Sequence, residues 1–575
     1  MESSRPRIVR RRPRCAPLPH LPPLLARVYA HRGVADAREL EDGLAHLLPY
    51  HDLKGIDAAT DLLAETLARD DPILVVGDFD ADGATASAVA VKGLRAMGAR
   101  VDFLVPDRFR YGYGLTPAIV ERAAERRPAL LVTVDNGIAS LAGVQRAHEL
   151  GMRVLVTDHH LAGERLPEAE AIVNPNQPGD LFPSKNLAGV GVIFYVLTAL
   201  RARLRADGWF AHRGLPEPRL GDLLDLVALG TVADVVPLDH NNRILVSQGL
   251  KRVRAGHCSP GILALLEVAG RDHRRVAASD FGFVVGPRLN AAGRLEDMTI
   301  GIQCLLAPDL DNARPLARRL DALNRERRRI EEEMKVDAGE QVAQLLQAGD
   351  LPFGLCLFEP HWHQGVIGIL ASRIKERLHR PVIAFAPGED GEIKGSARSV
   401  PGVHIRDVLD AVATRHPGLL NKFGGHAMAA GLSLDADDLE AFQAAFDAEV
   451  RRHLAPEQLQ GLIESDGPVP PAELTLESAE ALRNGGPWGQ AFPEPLFDDR
   501  FEVCRRRLLK DRHLKLTLRH VDGGRPVDAI LFGYTDHHDT LPEEGARVHA
   551  AFHLDVNEYR DRRNLQLLLR HLFLD

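Results

Sequence analysis

The chain has 575 residues, of which 45% are hydrophobic and 26% are charged, and its formal net charge is −9. That length is too great for one core and predicts about three or four domains, and the composition matches a globular protein. No run of about 18 apolar residues occurs, so no membrane-spanning helix is expected. The acidic balance does not exclude a nucleic-acid partner, because binding needs only a local basic surface.

The chain begins with a basic stretch, "RPRIVRRRPRCAPLPH", that no apolar segment follows. It therefore predicts a disordered basic arm rather than a secretory signal. Five cysteines are scattered through the sequence without any CxxC pair, namely Cys15, Cys258, Cys304, Cys356 and Cys504. This pattern argues against a disulfide framework and a structural zinc site, and it predicts a protein of the reducing cytoplasm.

From about residue 50 to 160, short apolar strands alternate with helices. The strands end in polar residues and read "PILVVGDFDADG", "ALLVTVDNG" and "MRVLVTDHH"; the helices between them read "ATASAVAVKGLRAMG" and "SLAGVQRAHELG". Continuous apolar strands separated by amphipathic helices predict a parallel, doubly wound sheet.

The remaining chain changes character three times. Residues 186–300 are mainly helical, and the charged stretch after them predicts one long helix between two domains. A strand, a glycine-rich helix and a second strand then indicate a second α/β domain. Short alternating segments from residue 460 predict a small β-barrel of the oligonucleotide-binding type. The expected domains are a basic arm with a leading segment (1–49), an α/β domain (50–304), a connecting helix (305–348), a second α/β domain (349–455) and the barrel (456–575).

Acidic residues follow the first three strands and recur once more downstream. They form four clusters: Asp78, Asp80 and Asp82; Asp135; Asp158 with His159 and His160; and Asp234. The carboxyl ends of parallel strands share one edge of a sheet, so these clusters are expected to converge. Spacing by two in extended backbone predicts that the first three acids point to one side. Crowded carboxylates repel one another, and cations relieve that repulsion.

Carboxylates with one imidazole suit Mn²⁺ best among common ions, with Mg²⁺ as the alternative, and the acids suffice for two ions. A single Asp after a strand is more often a helix cap or turn residue. The tripeptide recurs at Asp536, His537 and His538, where no companion acids follow buried strands. The sequence around the second copy predicts a surface turn. The first copy differs because it is one of four acidic clusters that are expected to meet at the same edge of the sheet.

The motifs "DFDADG", "DNG", "DHH", "DVVPL", "GPRLNAAGR", "GVIGILASRIKERLHRP", "GSARS" and "GGHAMAAG" occur in this order. In this combination the chain resembles the RecJ family, single-strand-specific DNA exonucleases of the DHH phosphoesterase superfamily. The resemblance runs from about residue 70 to 435 and implies a DHH domain followed by a DHH-associated domain. The C-terminal β pattern is similar to the oligonucleotide-binding domain of that family.

The resemblance also implies roles for individual residues. One ion would be held by Asp82, Asp135, His159 and Asp234, and the other by Asp78, Asp80 and the bridging Asp135. Asp158 would orient a histidine, and His160 would face the scissile phosphate. A water activated between the ions would attack phosphorus in line.

Further residues are candidates for DNA contact: Ser396, Arg398, His426 and Arg373 in the second α/β domain, with Arg288 and Arg294 in the first. Small neighbours of Ser396, Arg398 and His426 let backbone N–H groups approach a phosphate. Arg373 is equally well explained as an exposed helical arginine near Glu376. Tyr111 and Tyr113 are candidates for stacking on bases, or for a turn packed on its own aromatic rings.

The expected function is metal-dependent 5′-to-3′ degradation of single-stranded DNA to mononucleotides, in recombinational and mismatch repair. The polarity, and the expected partners (a DNA helicase and single-strand-binding protein), come from the resemblance alone. One alternative is a DHH phosphoesterase for short oligonucleotides, cyclic dinucleotides or pyrophosphate, although such enzymes generally lack the barrel. A second alternative is a non-catalytic nucleic-acid-binding scaffold, although inactive copies tend to lose ligands and every acid is present here.

Overall fold

The computed structural model describes residues 6–107, 111–349, 351–536, 540–559 and 562–574. The chain divides into two compact units. One comprises Met1–Val9 with Ala322–Ile463, and the other comprises Arg10–Asp321 with Glu464–Asp575. Within the described ranges, no helix has both the length and the apolar character that crossing a bilayer requires.

The first α/β domain is built on a parallel sheet, as the strand pattern predicts. Its elements, after strand β1 (Arg7–Arg10) and helix α1 (Pro23–Arg32), are α2 (Ile56–Ala68), β2 (Ile73–Gly77), α3 (Ala81–Ala96), β3 (Val101–Leu104), α4 (Pro117–Ala124), β4 (Leu130–Val134), α5 (Leu141–Glu149), β5 (Arg153–Thr157) and β6 (Ala171–Val173). The strand order is β3–β2–β4–β5–β6. Strands β2 and β4 are buried along their whole length, which explains why their sequences are mostly apolar and carry no charge.

A helical region completes this domain. Its helices are α6 (Gly189–Ala206), α7 (Trp209–Arg213), α8 (Leu224–Ala233), α9 (His240–Arg254), α10 (Pro260–Val268), α11 (Ala278–Asp280), α12 (Gly286–Leu295) and α13 (Thr299–Leu306), with a π-helical turn at Phe281–Val285 before α12. Helix α3 packs closely on α6 at Gly93. A Cβ atom there would lie 2.5 Å from a Leu197 methyl group, so the absence of a side chain permits the contact.

The predicted long helix is confirmed as α14 (Leu310–Ala348), 39 residues in length. The second α/β domain follows as β7 (Leu355–Phe358), α15 (Ile367–Leu378), β8 (Val382–Pro387), β9 (Glu392–Arg398), α16 (Ile405–Arg415), β10 (Lys422–Gly425), β11 (Ala429–Asp435) and α17 (Leu439–Val450). The sheet order is β10–β11–β9–β8–β7; β7 and β8 are parallel and the other neighbours antiparallel. Phe385, Phe442 and Phe446 fill its core.

The C-terminal segment forms the predicted closed β-barrel. Its elements are β12 (Leu462–Ser465), α18 (Leu476–Asn484), β13 (Phe497–Leu509), β14 (His513–His520), β15 (Val527–Leu531), β16 (Arg547–Tyr559) and β17 (Arg562–Leu574). The barrel closes in the order β13–β14–β15–β17–β16. Alternate residues of β14 are buried, as the alternating sequence predicts. The second Asp-His-His copy cannot be compared with its prediction, because His537 and His538 lie outside the described residues.

The basic arm is ordered from residue 7 onward, so the prediction of a disordered arm is wrong there. Strand β1 pairs with β12, and the Arg11 N–H donates to the Ser465 carbonyl oxygen over 2.7 Å. The Arg10 guanidinium donates to the buried Asp498 carboxylate over 2.8 Å. The arm could not be read as ordered from its charge, because this partner lies 488 residues away.

Candidate metal centre

The predicted convergence at the sheet edge occurs. Gly77, Val134 and Thr157 lie in register on β2, β4 and β5, so the residues that follow them lie side by side. Three groups of possible ligand atoms each lie within 4.8 Å of one another: Asp78, Asp80 and Asp135; Asp82, His159 and Asp234; and Asp135, His159 and His160. Six side chains expected to hold metal therefore gather from four separate stretches of sequence.

The "DFDADG" loop places its acids differently from the extended backbone that their spacing predicts. Asp78 directly follows β2 and accepts the Phe79 N–H over 2.8 Å. Asp80 is the N-cap of α3 and accepts the Gly83 N–H over 2.9 Å. Asp82 lies in the first turn of that helix. The three carboxylates thus approach one site because the chain turns from strand to helix, and the prediction of extended backbone throughout is wrong.

Asp82 is 1% exposed and faces the start of α6. Its carboxylate accepts the Gly189 N–H over 2.6 Å and the Val190 N–H over 3.1 Å. The N-terminus of a helix stabilises an anion. Even so, burial and the neighbouring Asp80 carboxylate raise the pKa of Asp82 to about 7. The protein alone therefore does not fully compensate the negative charge at this site.

His159 lies between two carboxylates. Its Nε2 is 3.1 Å from Asp135 Oδ1 and 3.5 Å from Asp234 Oδ2. Burial, and then the nearby carboxylates of Asp82 and Asp80, raise the pKa values of both Asp135 and Asp234 well above the usual range. Oxygen and nitrogen ligands about 2.1 Å from an octahedral ion lie roughly 3 Å apart. The donor set and its spacing therefore fit Mn²⁺ or Mg²⁺.

Asp158 orients His160. Its Oδ1 accepts from His160 Nδ1 over 2.8 Å and from the His159 N–H over 2.7 Å, and its Oδ2 accepts the Ile138 N–H over 2.9 Å. Burial alone would raise the pKa of Asp158, but the His160 hydrogen bond outweighs it and the net shift is downward. Burial lowers the pKa of His160, yet the contact with Asp158 produces a net rise. The contact thus favours the charged form of each partner.

Asparagine and glycine residues that the sequence did not mark as functional hold this centre in place. Asn174 and Asn176 donate to the carbonyl oxygens of His160 and His159, over 2.9 and 2.6 Å. In α12, a Cβ atom at Gly293 would lie 1.8 Å from the Phe79 carbonyl oxygen. The motif "GPRLNAAGR" could have indicated this contact. Its asparagine, Asn290, and its glycine, Gly293, are one helical turn apart, and such a pair suits close packing of a helix against a loop.

The expected DNA-contacting residues of the larger unit occupy different surroundings. Tyr113 Oη lies 3.2 Å from His160 Nδ1, at the centre, and Tyr111 packs partly against the core of the first sheet. Arg288 is buried and pairs with Asp321 over 2.9 Å. Arg294 is half-buried on α12.

In the other unit, Arg373 lies 3.3 Å from Glu331 and 3.4 Å from Glu376, as the surface-arginine alternative describes. Ser396 and Arg398 both lie on β9, and His426 is exposed in the turn between β10 and β11. Arg398 Nη1 donates to Ser396 Oγ over 3.1 Å. Burial lowers the pKa of Arg398.

Comparisons with known proteins place all three folded regions. Protein-family models match residues 72–231 (DHH family, N-terminal domain), 351–452 (DHHA1 domain) and 465–571 (RecJ OB domain). The single-stranded-DNA-specific exonuclease RecJ of Dickeya dadantii (strain 3937) is 57% identical over 558 residues, covering 96% of each chain. The chain belongs to the RecJ family. The motif resemblance is thereby confirmed.

Solved structures of the RecJ family agree with the fold. The crystal structure of RecJ in complex with Mn²⁺ from Thermus thermophilus has a TM-score of 0.80 at 32% identity, covering 99% of this chain and 80% of that one. The complex of the same protein with Mg²⁺ has a TM-score of 0.75 at 30% identity, with 99% and 79% coverage. Divalent metal use is thus a property of a relative whose fold spans nearly all of this chain.

Proposed function

We propose that this chain, a single-stranded-DNA-specific exonuclease of the RecJ family, uses two divalent cations to release mononucleotides from the 5′ end. The observation that carries the proposal is the convergence of acids and one imidazole at the carboxyl edge of the first sheet. Asp82, Asp135, His159 and Asp234 would hold one ion, and Asp78, Asp80 and Asp135 the other. Mn²⁺ is the preferred ion and Mg²⁺ the alternative.

Bound divalent cations supply an activated water and neutralise phosphate oxygens at this centre. The chain contributes the remaining groups. His160, whose protonated form the contact with Asp158 favours, would donate a hydrogen bond to the scissile phosphate. Tyr113, whose hydroxyl lies 3.2 Å from Nδ1 and 3.3 Å from Nε2 of that imidazole, contacts the ring as well and offers its own ring to a base.

Arg398 supports a phosphate contact in the second α/β domain. Among the described residues, no carboxylate lies within ion-pair distance of it, and its donated bonds go to Ser396 and the Ala397 carbonyl oxygen. A mostly buried guanidinium without a counter-charge is costly unless an anion binds. Gly368 lies against both side chains, since a Cβ there would be 2.8 Å from Arg398 Nη2. Arg288, Arg294, Arg373 and His426 remain candidates for further contacts.

The barrel supports a track for single-stranded DNA. Arg507, Lys515 and Ile530 lie side by side on β13, β14 and β15, on the face opposite the buried Leu514 and Leu531. At the end of this face the exposed Phe532 ring lies 5.2 Å from the His513 ring. Lys515 lies 2.9 Å from Asp528, so Arg507, which is exposed, is the cation of this row without an acidic partner in the part of the chain that the structure describes. A cation and an exposed aromatic ring on one face suit phosphates and stacked bases without sequence preference. The repair roles, a cytoplasmic location and the partners, a DNA helicase and single-strand-binding protein, belong to this proposal as family expectations.

The test is degradation of an oligonucleotide labelled separately at each end, with Mn²⁺, with Mg²⁺ and with chelator. A duplex of the same sequence and the Asp135→Ala variant serve as controls. Metal-dependent release of mononucleotides from the 5′ side, with the duplex intact, is the expected result. Cleavage of dinucleotides alone would favour the short-oligonucleotide phosphoesterase. Binding without cleavage under either metal would favour the scaffold.

A further inference from the structure

Val235 combines two unfavourable features. Its φ is +62°, in the left-handed region that β-branched residues rarely adopt, and its side chain is 61% exposed. It follows the end of α8, where its N–H donates to the Val232 carbonyl oxygen over 3.3 Å. Glycine is the usual residue at this position after a helix, because it adopts such a φ without strain. Ending the helix therefore does not require a valine.

The position of Val235 suggests what the strain serves. It directly follows Asp234, whose carboxylate is 3.5 Å from the His159 imidazole. A second exposed apolar side chain, Leu161, is 64% exposed and directly follows His160. Strained backbone that persists beside a functional centre is commonly part of that function.

The chemistry of the centre leaves a role open for apolar groups. Its carboxylates and imidazoles can engage metal ions and phosphate, and Tyr113 offers a ring to a base, but none of these groups gives an aliphatic contact to the sugar or the base. Those parts are present in every nucleotide, so an apolar contact with them holds any sequence equally well. We infer that Val235, supported by Leu161, contacts the sugar and base of the nucleotide whose phosphodiester bond is cleaved. This assignment rests on the proposed exonuclease function.

The decisive variants are Val235→Gly and Val235→Ala. The glycine variant relieves the strain, so its unfolding midpoint is expected to rise, while its KM for single-stranded DNA rises about ten-fold through loss of the apolar contact. The alanine variant also loses the apolar contact, so its KM is expected to rise. Because it keeps the strained φ, its unfolding midpoint is not expected to rise. Leu161→Ala is expected to raise KM as well. Leu150→Ala is the matched control, because Leu150 is 37% exposed at the far end of α5, next to the opposite edge of the sheet.

An abasic 5′-terminal nucleotide identifies the contacted group. The wild-type enzyme is expected to cleave it with a higher KM than the normal strand, and Val235→Gly to reduce that difference. Greater stability of Val235→Gly with unchanged KM on both strands would overturn the assignment, since Val235 would then only end the helix. Absence of any single-strand cleavage by the wild type would instead overturn the proposed function and this assignment with it.

Discussion

Asn290 accepts, through its side-chain oxygen, a 2.8 Å hydrogen bond from the backbone N–H of Ala81. This bond ties α12 to the loop that carries Asp78, Asp80 and Asp82. Asn290→Ala is therefore expected to lower Mn²⁺ affinity and turnover by roughly 10- to 100-fold, as for other groups that position metal ligands. Mn²⁺ titration of activity measures the effect, and Asn312→Ala, on the exposed first turn of α14, is the control. Equal Mn²⁺ dependence in both variants would contradict the role.

Metal binding is expected to stabilise the wild-type protein and not Asp135→Asn. At an Mn²⁺ concentration 100 times Kd, a single bound ion adds about 2.7 kcal/mol. With chelator present, Asp135→Asn is expected to unfold at a higher temperature than the wild type, because it removes one of several mutually repelling buried carboxylates. Unfolding temperatures measured with Mn²⁺ and with chelator test both predictions, the stabilisation of the wild type by metal and the higher stability of the variant without it. Asp61→Asn, on the surface near Arg203, should behave as the wild type does.

Arg398→Met is expected to raise the KM for single-stranded DNA by about 10- to 100-fold, in line with the loss of a hydrogen bond to a charged group. Inorganic phosphate should raise the unfolding midpoint of the wild type and leave that of the variant unchanged. Arg398→Lys should not restore affinity, because an ammonium group lacks the planar fork of donors. Arg377→Met, on the exposed face of α15, is the control. If inorganic phosphate still raised the unfolding midpoint of Arg398→Met, Arg398 would not be the phosphate-binding group.

Phe532→Ala is expected to weaken binding of a long single strand by roughly 1–3 kcal/mol, the range for loss of one stacked base. Cleavage of a dinucleotide should be unchanged, because the barrel lies outside the metal centre. Filter binding and dinucleotide hydrolysis give the two readings. Val521→Ala, 44% exposed in the loop after β14, is the comparison variant. If both substrates were affected equally, the track on the barrel would be wrong.

Asp466 should make stability depend on acid. Its carboxylate is buried and accepts from Arg32 over 2.7 Å and from His31 over 2.9 Å. Burial raises the pKa of Asp466, but these hydrogen bonds outweigh it and the net shift is downward. Its contribution is thus complete above about pH 4 and is lost as pH falls through the lowered value.

Asp466→Asn should accordingly reduce the free energy of unfolding at pH 7 by about 3–5 kcal/mol, because Arg32 keeps a buried charge without its counter-charge. The difference from the wild type should shrink below pH 4. Urea unfolding from pH 7 to pH 3 measures it. A difference that stayed constant across this range would show that the carboxylate charge is not what stabilises the contact.

Local sequence pattern was sufficient to predict those parts of the fold that depend on the residues of a single strand or helix. The strands before Asp78, Asp135 and Asp158 are continuous apolar runs, and parallel topology alone brings their ends together. The barrel followed from the alternation in segments such as β14. The order of strands in the second sheet was beyond this reasoning, because β9 to β11 pair through registers that no short pattern encodes.

The supports of the metal centre were predicted less well. Asp82 is held by backbone N–H groups more than 100 residues away, at Gly189 and Val190. Asn290 reaches Ala81 across 209 residues. Backbone donors look alike in every sequence, so only the folded chain reveals which carboxylate they meet. The sequence also did not show that the basic arm is ordered, because its partner Asp498 lies 488 residues away.

The pairing of the arm with the end of the chain has a consequence for biosynthesis. At ordinary translation rates, roughly 25–100 s separate the appearance of Arg10 from that of its partner Asp498. During that interval the first helix is made but the acids that hold Arg10 and Arg32 do not yet exist. A chain released before residue 466 lacks both acids permanently. Premature termination should therefore destabilise the segment around Arg10 and Arg32 as well as remove the barrel, which exposes incomplete products to proteolysis.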